Sequence, residues 1–474
     1  MQTDTAWIRQ RHNGDATSDV SPERHARIML PADVRLPIYF AERAIGERLR
    51  SAMRFVLAMW GTRGDVEPCC AIGRELLRRG HDVCMAVPPD FVGFVEATGI
   101  AAVAYGAEPQ HWLDAHRNFF RNLLRNFWRI SDLRRLWRDA AESGVSCWGE
   151  MSTALVSLAD GADLILTGMA YQEVAANVAE YYDIPLSILH FAPVQPNGRL
   201  RPYLPAWFVS FVTTVAEWLI WPMRKNVEEA QRRDLGLPKE TRPAFRRIIE
   251  RGHLEIQAYD EICFPGLAAE WARWNGRRPF IGALTLELPT DGDEEVASWI
   301  AAGTPPIYFG FGSVAIESPA DTVAMIGAAC AELGERALVC TGGTDFSDLP
   351  QFGHVKVVGT VNHVAIFPAC HAVVHHGGAG TTAAGLRAGV RTVILWRGFD
   401  QPHWGAVVKR LKVGTARRFS STTQESLVAD LRTVLTPQYA VRAREIATRM
   451  TKPTASVVAA ADLVENLAGA RRVR

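Results

Sequence analysis

The sequence predicts an α/β protein made of two parallel-sheet domains. Three observations carry that expectation. A chain of 474 residues is too long for one hydrophobic core. Short apolar runs alternate with helix-length stretches twice, on either side of an acidic, turn-prone break near residue 290. In the second set, a buried-looking strand passes through a glycine-rich turn into an alanine-rich helix, Ala372-Val373-Val374-His375-His376-Gly377-Gly378-Ala379-Gly380-Thr381-Thr382-Ala383-Ala384.

Residues 1–52 read differently from the rest. Asn13-Gly14-Asp15-Ala16-Thr17-Ser18-Asp19 is polar, and the basic stretches around it lack periodicity. They are expected to form a poorly ordered extension, or to reflect an over-long start with Met53 as the true first residue. From Met53 onward the pattern is regular. Strands are expected over 55–60, 81–87, 162–167 and 186–190, and helices over 67–79 (closed by Gly80), near 91–98 and over 173–181. The alternation argues for a parallel sheet whose ligands bind at the carboxyl ends of its strands, and residues 61–65 lie at such an end.

Two aromatic stretches interrupt the alternation. Residues 112–137 interleave Trp112, Phe119, Phe120, Phe127 and Trp128 with Arg117, Arg121, Arg125 and Arg129, which share a helical face. Residues 205–223 carry Trp207, Phe208, Phe211, Trp218 and Trp221. That run is barely long enough to cross a bilayer, and Glu217 inside it argues against a span. Both stretches read either as core helices with a solvated basic edge or as an apolar wall resting on an anionic membrane surface.

The break at Thr285-Leu286-Glu287-Leu288-Pro289-Thr290 suggests a linker over 286–304. A second set begins at Pro305-Pro306-Ile307-Tyr308-Phe309-Gly310-Phe311-Gly312-Ser313. Its further strands are expected over 337–340, 355–358, 372–375 and 392–396, and a last helix over 456–468. The expected domains are thus 53–285 and 305–450, with 451–474 as a C-terminal helix.

Apolar content of 48% and a net charge of +1 describe a globular protein with no global attraction for nucleic acid. The eight cysteines are scattered apart from Cys69-Cys70 and show no metal-ligand spacing. That fits reduced thiols in a cytosol, and no apolar signal segment opens the chain. The glycine turn is a natural anion site, because free N–H groups and the positive end of the helix dipole converge above it. The other reading of the turn is a tight strand–helix connection with incidental histidines.

The run His375-His376-Gly377-Gly378-Ala379-Gly380-Thr381-Thr382, followed about twenty residues later by Asp400-Gln401-Pro402, resembles the donor signature of nucleotide-sugar glycosyltransferases. Gly61-Thr62-Arg63-Gly64-Asp65-Val66-Glu67-Pro68 is a second match, to the bacterial and sterol branch of those metal-independent, inverting enzymes. The overall likeness is to mycobacterial glycopeptidolipid glycosyltransferases. The resemblance runs from about Met53 to the end and implies the GT-B fold, two Rossmann-like domains facing each other across a cleft, with the last helix crossing back to the first.

The resemblance also implies roles. Asp65 would be the base, in the place where other branches carry histidine, and burial would have to raise its pKa. Capping the helix that begins near Val66 is its alternative role. His375, Gly377, Gly378, Ala379, Gly380 and Thr381 would hold the diphosphate, with Ser313 reaching it from the facing turn. Asp400 and Gln401 would bind sugar hydroxyls, while His363 and His376 are expected to be structural. Arg63, Gly64, Trp112, Trp207 and Phe211 are candidates for the acceptor side.

The region Gly359-Thr360-Val361-Asn362-His363 lacks the tryptophan with which plant enzymes stack uracil, so uridine and thymidine donors both stay open. The implied function is transfer of a hexose or deoxyhexose from a UDP- or TDP-sugar to a hydroxyl of a hydrophobic acceptor. No cofactor and no metal are implied, and neither is nucleic acid. The implied location is cytoplasmic, with peripheral contact at the inner membrane surface. A sugar-nucleotide epimerase on the same fold and a non-catalytic lipid-binding descendant are the alternatives.

Overall fold

The computed structural model describes residues 52–108, 130–193, 195, 197–199, 205–290, 292–312, 318–342 and 351–472. The expected extension, Trp112 and Ser313 lie outside the described residues.

Six parallel strands form the first sheet: β1 (Arg54–Ala58), β2 (Asp82–Val87), β3 (Ala101–Ala104), β4 (Leu164–Thr167), β5 (Leu186–His190) and β6 (Leu254–Gln257). The second sheet holds β7 (Ile307–Gly310), β8 (Ala337–Cys340), β9 (Val355–Val358), β10 (Ala372–His375), β11 (Arg391–Trp396) and β12 (Gly414–Arg418), again all parallel. Their orders, β3-β2-β1-β4-β5-β6 and β12-β11-β10-β7-β8-β9, are the same doubly wound topology twice. Each sheet therefore has one switch point, between β1 and β4 and between β7 and β10. Crevices for ligands open at the carboxyl ends of strands there.

The central strands are buried on both faces, from Phe55 to Ala58 in β1 and from Ala372 to His375 in β10. Burial on both faces explains why they read as continuous apolar runs rather than alternating ones.

Helix Arg63–Arg78 starts one turn earlier than the sequence suggests. Pro68 fits the first turn of a helix, which pulls the expected start to residue 67. Here Thr62 is the N-cap, and Pro68 is inside the helix. Asp65 is therefore not the N-cap but the third helical residue, and its carboxylate closes a capping box by accepting the Thr62 N–H.

Within the stretch expected to link the halves, Asp293–Ala301 is a helix, packed on the second half's core through Val296 and Ile300. The final helix, Pro453–Arg472, packs on the first half. Its Ala460, Ala461, Val464 and Ala468 are fully buried against helix Arg63–Arg78 and its neighbours. Small residues allow that close approach, and charge pairs fix its register: Arg79 with Asp462 at 2.7 Å and Arg472 with Asp163 at 2.8 Å.

Candidate active site

The site is built where two helix N-termini meet. One is the start of helix Arg63–Arg78, which leaves the end of β1. The other is the start of helix Ala379–Ala388, which leaves the end of β10. A small cavity of about 20 Å³, room for one water, marks the seam. Gly64 and Pro68 line it from the first half, and Ala379, Gly380, Ala383 and Trp404 from the second.

Asp65 is half-buried beside this seam. Its Oδ2 accepts hydrogen bonds from the Thr62 backbone N–H at 2.8 Å and from Thr62 Oγ1 at 3.2 Å. Among the described residues no partner occupies Oδ1. Protein packed around the carboxyl raises its pKa from 3.8 to about 6, against the lowering effect of the Thr62 bonds, and Asp400 across the seam adds repulsion. The turn before Asp65 requires Gly61: its φ is +147°, and a Cβ there would fall 2.3 Å from Asp65 Oδ2.

The glycine turn offers four backbone donors. Among the described residues the N–H groups of Gly378, Ala379, Gly380 and Thr381 have no acceptor, as expected of the N-cap and first turn of a helix. The N–H of Gly377 is taken, because it donates to His375 Nδ1 at 3.0 Å. Gly377 has φ +92°, and a Cβ there would meet Ile394 at 2.8 Å.

The two histidines sit differently from what the sequence suggests. His375 is fully buried under the turn, its Nδ1 is used by Gly377, and burial drives its pKa well down. It is therefore neutral, with its proton on an Nε2 that has no partner among the described residues. It shapes the turn from beneath.

His376 is half-buried, and its ring lies between the two glycine turns. A Cβ on Gly378 would come within 2.6 Å of His376 Nε2, and one on Gly312 within 2.7 Å of its Cε1. Burial lowers its pKa to about 4, against the raising effect of a hydrogen bond to the Gly310 carbonyl, so it too is neutral near pH 7. The sequence reading missed it because adjacent histidines at a strand end look alike; only the alternation of a buried strand separates them.

Asp400 and Gln401 stand at the start of helix Gln401–Leu411, close under Gly377. Asp400 Oδ2 accepts from Trp404 Nε1 at 3.0 Å, and burial raises its pKa. Gln401 Oε1 accepts from the N–H groups of Arg397 at 2.8 Å and Gly398 at 3.3 Å. Phe399, just before them, is held at φ +55° and is 78% exposed, a feature with no sequence signal. Arg63 pairs with Glu67 at 2.7 Å and covers the Phe94 ring. Its charge acts on His363 and Cys340 in the other half.

The structure thus brings Arg63, Gly64, Asp65, Ala379, Gly380, Asp400 and Gln401 to one seam. Trp207 and Phe211 do not line its cavity. They lie on helix Ala206–Asp234, 72% and 62% exposed, and with Val215 they form an apolar stripe at i, i+4 and i+8. No described helix is long and apolar enough to cross a membrane. Among the described residues no group of three His, Cys, Asp or Glu side chains could hold a metal ion.

Residues 55–161 match the glycosyltransferase family 28 N-terminal domain, and residues 320–468 match the erythromycin biosynthesis protein CIII-like C-terminal domain. An uncharacterized glycosyltransferase of Mycobacterium tuberculosis is 61% identical over 424 residues, 89% of this chain and 100% of the relative. Among solved structures, the kitacinnamycin glycosyltransferase superposes with a TM-score of 0.64 at 20% identity, over 88% of this chain and 99% of that one. The glycosyltransferase VinC, solved in complex with dTDP, superposes with a TM-score of 0.58 at 17% identity, over 88% and 98%.

Proposed function

Since the chain belongs to the UDP-glycosyltransferase-like glycosyltransferases of the GT-B fold, we propose that it moves a hexose or deoxyhexose from a UDP- or TDP-sugar to a hydroxyl of a hydrophobic acceptor, with inversion. The observation that carries this reading is the facing pair at the seam. A carboxyl raised to about 6 stands opposite a helix N-terminus with four unused N–H donors.

In this reading Asp65 takes the proton of the acceptor hydroxyl as its oxygen attacks the anomeric carbon. The bond from that carbon to the diphosphate oxygen breaks in the same step, and its electron pair leaves on the diphosphate. The N–H groups of Gly378, Ala379, Gly380 and Thr381 and the neutral N–H of His376 stabilise that growing charge, helped by the helix dipole. Asp400 Oδ1 and the Gln401 amide are left to hold sugar hydroxyls. Asp65 supplies the base and the helix terminus stabilises the leaving group, so a single displacement needs no metal.

The dTDP bound by VinC supports a thymidine donor beside a uridine one. The exposed Trp207 and Phe211 stripe suits an apolar acceptor approached at the inner membrane surface, since apolar contact is worth roughly 25 cal/mol per Å². An epimerase would use the same nucleotide-sugar cradle without an acceptor, but the relatives and neighbours compared are glycosyltransferases. The test is incubation with UDP- and TDP-sugars, with and without a lipid extract. Nucleoside diphosphate released together with a glycosylated lipid is expected. Conversion of the sugar with the diphosphate still attached would favour the epimerase.

A further inference from the structure

The helix that presents the glycine turn at one end carries an arginine, Arg387, at the other. That side chain is spent on the crossing between the two halves. Arg387 Nη2 donates to the Ala283 carbonyl at 2.6 Å, and Nη1 donates to Thr285 Oγ1 at 2.8 Å. Nη2 also reaches Ser456 Oγ at 3.2 Å. Ala283 and Thr285 lie on the segment that leaves the first half, and Ser456 lies on the final helix that returns to it.

A second tie closes the same knot. The buried Asp260, just past β6, accepts from the Thr451 N–H at 2.6 Å and from the Ala283 N–H at 3.3 Å. Gly282, at φ +80°, lets the two segments touch, because a Cβ there would meet Thr451 and Ser456 at 2.5 and 2.7 Å. Asp260, Ala283, Leu284 and Met450 also line the seam cavity that Gly64 and Gly380 share. The crossing therefore lies directly behind the reacting groups. A change of angle there changes the spacing between Asp65 and the glycine turn.

We infer that Arg387 is a positioning residue: it locks helix Ala379–Ala388 to both crossing segments and thereby sets the distance between the Asp65 carboxyl and the diphosphate cradle. The inference rests on the transfer reading above. Arg387 is about two turns, roughly 9 Å, from Thr381, so it does not itself hold the nucleotide. Its three acceptors are spread over two chain segments, a geometry that a planar guanidinium meets and an ammonium meets in part. Misplacing groups by about 1 Å is enough to lower turnover roughly 10²-fold.

The full chain carrying Arg387→Met is compared with wild type and with Arg387→Lys. Affinity for UDP and TDP is measured by calorimetry, turnover by diphosphate release, and size by small-angle scattering with the nucleotide bound. Arg387→Met should keep nucleotide affinity within about twofold, lose about 10²-fold in kcat and show a larger radius of gyration, with Arg387→Lys between it and wild type. Unchanged kcat, or affinity falling in step with kcat, would overturn the proposal. Were wild type to release no diphosphate, the transfer reading would fall, and scattering would still decide for Arg387. A radius equal to that of wild type would then count against it.

Discussion

Asp65 combines a role and a cost. A carboxyl whose folded pKa lies near 6 binds its proton more tightly in the native protein than in the unfolded chain. The native state is therefore penalised as pH rises from about 4 through 6, and the penalty persists above that range. Asp65→Asn removes the charge while its amide oxygen can still accept from Thr62. It should raise the melting temperature at pH 8 and leave it unchanged near pH 3.5. The same group should give the rate an acid limb with an apparent pKa near 6, measured on wild-type turnover between pH 4.5 and 8. A rate flat across that range would remove Asp65 from the base role. The neighbouring histidines separate in the same spirit. His376→Ala should lower kcat by about 10²-fold with little change in melting temperature, the size typical of a lost leaving-group donor. His375→Ala should act mainly on stability, because it opens a hole under the turn.

At the scale of the element, helix Ala379–Ala388 explains why glycine stands where it does. Gly377 answers to the protein's own packing, but Gly380 does not: among the described residues nothing lies within 4 Å of the Cβ it lacks. In the transfer reading, the open space above it is where the diphosphate sits. Gly380→Ala should therefore stabilise the fold by about 0.5–1 kcal/mol, as glycine replaced in a helix does. It should weaken binding of UDP or TDP at least tenfold by calorimetry; unchanged affinity would place the diphosphate elsewhere.

This helix, β10 and the central strands were legible in the sequence because burial on both faces leaves an unbroken apolar run. Three strands were not. The Ala101–Ala104 stretch, AAVA, reads as helix; β6 carries the buried Glu255 and Gln257; and β12 ends in the charged Arg417 and Arg418. Glu255 is tolerated inside because Arg278 pairs with it at 2.9 Å, a partner 23 residues away that no local pattern announces. The Asp65 turn and the glycine turn were each readable from spacing. Their meeting across the seam, and the different placement of His375 and His376, depend on contacts made only in the folded chain.

At the scale of the whole molecule, the two sheets are alike in topology and unlike in what they bring. In the proposed transfer, the first supplies a base at the end of its switch-point strand, and the second supplies a cradle for an anion at the end of its own. The linker and the returning helix Pro453–Arg472 hold those two ends face to face. In that reading, one base facing one leaving-group cradle inverts the anomeric centre in a single displacement. The measurement that tests this most directly is the anomeric configuration of the product by NMR, starting from an α-linked nucleotide sugar. A β-glycoside is expected, formed by wild type and not by Asp65→Asn. An α-glycoside, or full β-glycoside formation by Asp65→Asn, would contradict a single displacement driven from Asp65.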